Sequence, residues 1–124
     1  MKKLFARIFG IGFILVGSLA FISNPLVGTG GFFHANAAHR ILHIVLGIIL
    51  VASCKNEKTA GLWLKIVGVA YLAIAVVGFF MTHDHGIVSI VGVEVNNADN
   101  WLHLFLALAV FFSGFAPSRK AVKY

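Results

Sequence analysis

The chain has 124 residues, of which 60% are hydrophobic and 11% charged, with a mean hydropathy of +0.95. A soluble domain is about 45–50% apolar and about 25% charged, so a chain this short cannot hide such a surface from water and belongs in a bilayer. The net charge of +6 would raise nucleic acid as a partner, but the basic residues sit in clusters beside apolar segments, with no basic groove or aromatic platform, which argues against nucleic acid.

The first apolar segment covers residues 4–22 and follows Lys2 and Lys3, with Arg7 one turn inside it. It resembles a secretory signal with a small-residue site at Ser18 to Ala20, yet a related helix recurs where cleavage is impossible, which favours its retention. A turn-rich loop with Pro25 and several glycines follows. The second segment covers residues 37–53 and opens on NAAHRILH, from Asn36 to His43. Its end, VASC, imitates a lipoprotein cleavage box but lies deep in the chain beside Lys55 and Lys58; the lone Cys54 permits no internal disulfide. The third segment covers residues 62–81. The stretch after it, HGIVSIVGVEVNN, is rich in Val and Ile and suits either an extended segment or one dipping into the interface. The fourth covers residues 100–116 and opens on NNADNWLH, from Asn96 to His103. Segments of 17 to 20 residues reach roughly 25–30 Å as helices, enough for a hydrocarbon core.

The expected fold is therefore an all-α membrane protein with four transmembrane helices. Nine of the ten Lys and Arg residues fall at the N-terminus, in the middle loop or in the C-terminal tail, and only Arg40 falls elsewhere. Both termini should be cytoplasmic, with the first and third loops outside. Trp101 and Tyr124 suit interfacial positions, and Trp63 the inner interface.

RIFGIGFILVGSLAF (Arg7 to Phe21) aligns with KIVGVAYLAIAVVGF (Lys65 to Phe79), and Asn36, Leu42 and His43 align with Asn96, Leu102 and His103. The offset is 58 residues for the first helix of each pair and 60 for the second, which reads as a duplicated helical hairpin within one domain, 1–56 and 57–124. Two copies of one orientation should be related by a pseudo-two-fold axis along the membrane normal, forming a four-helix bundle. Gly10 and Gly17, then Gly61, Gly68 and Ala75, recur at seven-residue spacing and are the expected packing faces.

All six histidines lie in or beside the expected outer loops, as do Asp84, Glu94 and Asp99, leaving only Glu57 inside. His39 and His43 share one face of the second helix, and Asp99 and His103 one face of the fourth. One reading needs no cofactor: Asn36, Asn96 or Asp99 cap the helix starts, and a polar network of Asn36, His43, Asp99, Asn100 and His103 locks the repeats together. A second makes His39, His43, Asp99 and His103 ligands of Zn²⁺ or another divalent metal, or His43 and His103 the axial ligands of haem b. A third is a small transporter or pH sensor using the same histidines. His83-Asp84-His85 reads as a solvated loop. No hydrolase or transferase pattern is present: the serines lack a triad context and no glycine-rich phosphate loop occurs.

NNADNWLHLFLAL and the weaker NAAHRILHIVLGI resemble the small prokaryotic membrane proteins grouped as domain of unknown function 4383. That resemblance implies four helices, a last helix opening on an Ala-Asp-Asn-x-x-His-like motif, and an Asn and a His on the second. It implicates Asn36, His43, Asp99, Asn100 and His103, implies the bacterial inner (cytoplasmic) membrane, and implies no activity. The lipid bilayer is the expected partner. Outer faces this apolar suit lipid as well as another subunit, so the sequence leaves a homo-oligomer or larger membrane complex open.

Overall fold

The computed structural model describes residues 1–29, 31–82 and 86–117. Four helices carry the chain: α1 (Lys2–Leu19), α2 (Ala37–Ala52), α3 (Glu57–Met81) and α4 (Asn97–Ser113). A short 3-10 turn, Ser53–Lys55, closes α2. Between α1 and α2, β1 (Val27–Gly28) pairs in parallel with β2 (Phe33–His34). Between α3 and α4, β3 (Ile87–Ile90) and β4 (Val93–Asn96) form an antiparallel hairpin, with Ile87 opposite Asn96 and Ile90 opposite Val93. The Val/Ile-rich stretch is thus extended over both strands. His83, Asp84 and His85, and the basic tail with Tyr124, lie outside the described residues.

Three of the four helix starts have a local cause. Asn36 caps α2 by accepting from the His39 N–H at 3.1 Å, and Asn56 caps α3 by accepting from the Thr59 N–H at 2.8 Å. That cap starts α3 five residues before its apolar run, giving 25 residues. Asn96 and Asp99 form a reciprocal capping box on α4, each side chain accepting the other's backbone N–H at 2.9 Å. α1 has no side-chain cap of its own. Instead, Glu57 at the start of α3 accepts from the Lys2 N–H at 2.9 Å and from the Met1 ammonium at 3.1 Å.

α1 packs mainly on α2 and α3 on α4, while α1 and α3 touch between the hairpins. Ala6, Gly10, Phe13 and Gly17 are the buried positions of α1; 58 residues on, Leu64, Gly68, Tyr71 and Ala75 are buried in α3. His39, His43, Gly47 and Leu50 are buried in α2; 60 residues on, Asp99, His103, Ala107 and Val110 are buried in α4. The seams match too. A methyl group at Gly10 would stand 2.8 Å from the Gly47 carbonyl and from Val51, and one at Gly68 would stand 2.6 Å from Phe111, 60 residues beyond Val51. Ser53 and Ser113 each donate to the carbonyl three residues back, at 2.6 Å.

Among the described residues, two stretches are long and apolar enough to cross a membrane, Ala37–Lys55 and Glu57–Met81. α1 has 18 residues but begins with Lys2, Lys3 and Arg7, and α4 has 17 residues. The outward faces of all four helices are apolar, as at Ile8, Leu15, Val45, Val69 and Phe105.

Candidate functional site

Helical spacing sets His39 and His43 one turn apart on the face of α2 that looks into the bundle, their rings stacked with centroids 5.0 Å apart. His103 enters from α4, 5.3 Å from the His39 ring and 5.9 Å from that of His43. Tyr71 of α3 lies 5.3 Å from His103, and Phe13 of α1 meets His43 edge-on at 6.0 Å. Each helix thus contributes a ring, and the three imidazoles and the phenol are all buried.

The hydrogen bonds order this cluster. A carbonyl only accepts, so His39 Nδ1 donates to the Glu94 carbonyl at 2.8 Å, leaving a neutral His39 with a lone pair on Nε2. His43 Nε2 lies 3.2 Å from that nitrogen and donates to it. His43 Nδ1 is then an acceptor, and the Tyr71 hydroxyl donates to it at 3.0 Å. The series Tyr71, His43, His39 and Glu94 runs from α3 through α2 to β4.

Glu94 is a hub. Its backbone N–H donates to Asn36 Oδ1 at 3.2 Å, its carbonyl accepts from His39, and its carboxylate lies 2.9 Å from His34 Nε2. Asn36 also donates to the Gly92 carbonyl at 2.9 Å, and Asn96 donates to the Phe32 carbonyl at 3.0 Å. These bonds tie the first half of the chain to the second.

One donor atom from each of His39, His43 and His103 lies within 4.8 Å of the others. Asp99 stands outside that set. Its carboxylate serves the α4 capping box, although it lines, with His39 and His43, a cavity of about 20 Å³. Among the described residues, two buried side-chain polar atoms lack a partner, Asn100 Oδ1 and His103 Nδ1. Asn100 donates from Nδ2 to Thr82 Oγ1 at 2.7 Å, and its Oδ1 occupies the place a side chain at Gly78 would take. Gly10, Gly17 and Gly68 lie at interhelical contacts, Gly61 faces Lys2 and Gly114, and Ala75 is buried.

Haem does not fit. His43 and His103 are packed against His39 and Tyr71, and the adjoining cavities measure about 20 and 10 Å³. Sites for molecules of drug or cofactor size are about 300–1,000 Å³.

Sequence reasoning passed over Tyr71, Glu94 and His34 as members of the cluster. Tyr71 had one available signal: a hydroxyl where the matching position holds Phe13. Glu94 acts largely through its backbone, which leaves no mark in residue type.

Fold and site together define a small helical protein with two membrane-length apolar helices and a buried histidine cluster at the end where α2 and α4 begin. Residues 3–116 match the family described as Domain of unknown function (DUF4383), and the chain belongs to that family. No curated protein and no solved structure matches the chain.

Proposed function

We propose that the protein is a four-span structural or accessory protein of the bacterial inner membrane, built from a duplicated helical hairpin whose copies are locked together at the outer face. The observation that carries this reading is the set of bonds from Asn36, His34 and His39 to the β3–β4 hairpin, with Asn96 reaching back to Phe32. They cross between the halves 1–56 and 57–124 at the end where α2 and α4 begin. The coincidence of buried positions at offsets of 58 and 60 residues supports duplication. Apolar outward faces on α1 and α4 support their spanning the bilayer alongside α2 and α3. Lys2, Lys3 and Arg7 at one end of α1, with Lys55 and Lys58 before and at the start of α3, support cytoplasmic termini.

A bundle in lipid gains little from the hydrophobic effect between its helices, so polar contacts and close packing must hold the hairpins together. In this chain polar contacts between the halves lie at both ends: Glu57 holds Met1 and Lys2 at one, and the set around Asn36 and Glu94 lies at the other. Asn36 makes two of them, with Glu94 and Gly92, besides capping α2 at His39.

The test is Asn36→Ala in metal-free, full-length protein in detergent, with reporter fusions at both termini and in both outer loops. The lock requires a lower melting temperature for Asn36→Ala and proteolytic nicking between α1 and α2 that the parent protein resists. Four spans require both termini on the cytoplasmic side and both loops outside. An unchanged melt, or a loop reporting from the cytoplasm, would sink the corresponding half of the reading.

A further inference from the structure

We propose that His39, His43 and His103 form a binding site for one divalent first-row cation, Zn²⁺ foremost, at the end of the bundle where α2 and α4 begin. The three donor nitrogens lie within 4.8 Å of one another, and the Nε2 atoms of His39 and His43 are already 3.2 Å apart. Zn–N bonds of about 2.0–2.1 Å in a tetrahedral site put ligand nitrogens about 3.4 Å apart. That pair therefore has the required separation, and the third ring closes by a small side-chain rotation.

The surrounding bonds suit ligation. A metal-bound histidine donates its other ring N–H to a carbonyl or similar group, which fixes the tautomer. His39 does so already, through Nδ1 to the Glu94 carbonyl, leaving its Nε2 lone pair toward His43. His43 reaches the same state by moving its proton from Nε2 to Nδ1, with the Tyr71 hydroxyl changing from donor to acceptor; no net proton is released.

The second, independent observation is His103. It is 1% exposed, and its Nδ1 has no partner. A buried polar nitrogen left unpaired is costly and calls for an explanation. Imidazoles without a carboxylate select Zn²⁺, Cu²⁺ or Ni²⁺ over Mg²⁺ and Ca²⁺, which prefer oxygen. Three protein ligands leave a fourth position, and the cavity of about 20 Å³ beside His39 and His43 has room for one water. Asp99 lines that cavity, outside the set of three donor atoms.

This site does not depend on the lock reading: metal-free stability tests one, cation binding the other. The experiment uses full-length protein without a histidine tag, stripped of metal by a chelator and titrated with Co²⁺ under visible absorbance. The expected result is saturation at one equivalent with the intense bands of four-coordinate Co²⁺, displaced by Zn²⁺. Affinity should fall at least about tenfold in His39→Ala, His43→Ala and His103→Ala, and stay unchanged when His83 and His85 are both replaced by Ala. Because these imidazoles are buried, His103→Gln is the companion variant, judged only with a cooperative melt. Zn²⁺ should raise the melting temperature of the parent protein and leave that of His103→Gln where it was. No saturable binding, binding that survives loss of His103, or binding lost with His83 and His85 would each overturn the proposal.

Discussion

At matching places in the two hairpins stand Phe13 and Tyr71, His39 and Asp99, Arg40 and Asn100, whereas Gly10 and Gly68, or Ser53 and Ser113, keep their kind. Gly10 and Gly68 lie where helices touch, and the three differences lie at or near the polar end. Close approach explains the first: at Gly10 and Gly68 nothing larger than hydrogen fits against the facing helix. The second shows how a near-symmetric scaffold acquires an asymmetric site. α2 contributes two imidazoles, α4 contributes one and spends its other polar position on a capping box, and α3 contributes the hydroxyl that α1 lacks.

That comparison can be broken at four places. The largest effect is expected at the seam. Gly68→Leu would drive a side chain into Phe111, while Gly12→Leu meets nothing within 4 Å. Overpacking costs about 1–3 kcal/mol, so Gly68→Leu should unfold early in a denaturant titration in detergent and Gly12→Leu should not. Equal behaviour of the two would show that the seam is not close-packed.

Next is the capping box, present on α4 and absent from α2. Asp99→Ala removes the hydrogen bond from the Asn96 N–H and should destabilise the protein by about 0.5–1.5 kcal/mol. Amide hydrogen exchange should locate the loss in the first turn of α4. A loss spread evenly over the helix would deny Asp99 its capping role.

The connectors differ as well, since only the second is an antiparallel hairpin. Its two-residue loop holds Val91 at φ 51° and Gly92 at φ 84°. A β-branched residue is strained there, and Asn-Gly is the favoured pair. Val91→Asn should therefore stabilise the protein, by about 1 kcal/mol; a lower melting temperature would mean that the fully exposed Val91 has a contact of its own.

The smallest effect is expected at Tyr71→Phe, which makes α3 match α1 at that position. It removes one interhelical hydrogen bond, a loss averaging about 0.6 kcal/mol in membrane bundles. Nitrogen chemical shifts of His43 should report the lost partner on Nδ1. An unaltered His43 would place its hydrogen bond elsewhere.

Much of this architecture could be read from residue order. The hydrophobic runs mark four helices to within a few residues, and Asn36, Asn56 and Asn96 stand at three of the four starts. The i, i+4 spacing placed His39 and His43 on one face, and the offset of 60 residues paired His43 with His103. Asp99 looked equivalent to a ligand by the same spacing. Its cap with Asn96 is also local, and spacing alone does not separate a ligand from a cap; the structure shows the cap.

Sequence by itself determined the helix count, the apolar faces and the end of the bundle at which the histidines collect, because each follows from local periodicity or residue type. Tertiary structure decided which of those groups meet. Tyr71 and Glu94 joined the cluster because α3 and β4 pack against α2, from 28 and 55 residues away respectively. Glu94 does so through its carbonyl, and every residue has one of those. Only the crossing of the hairpins selects it.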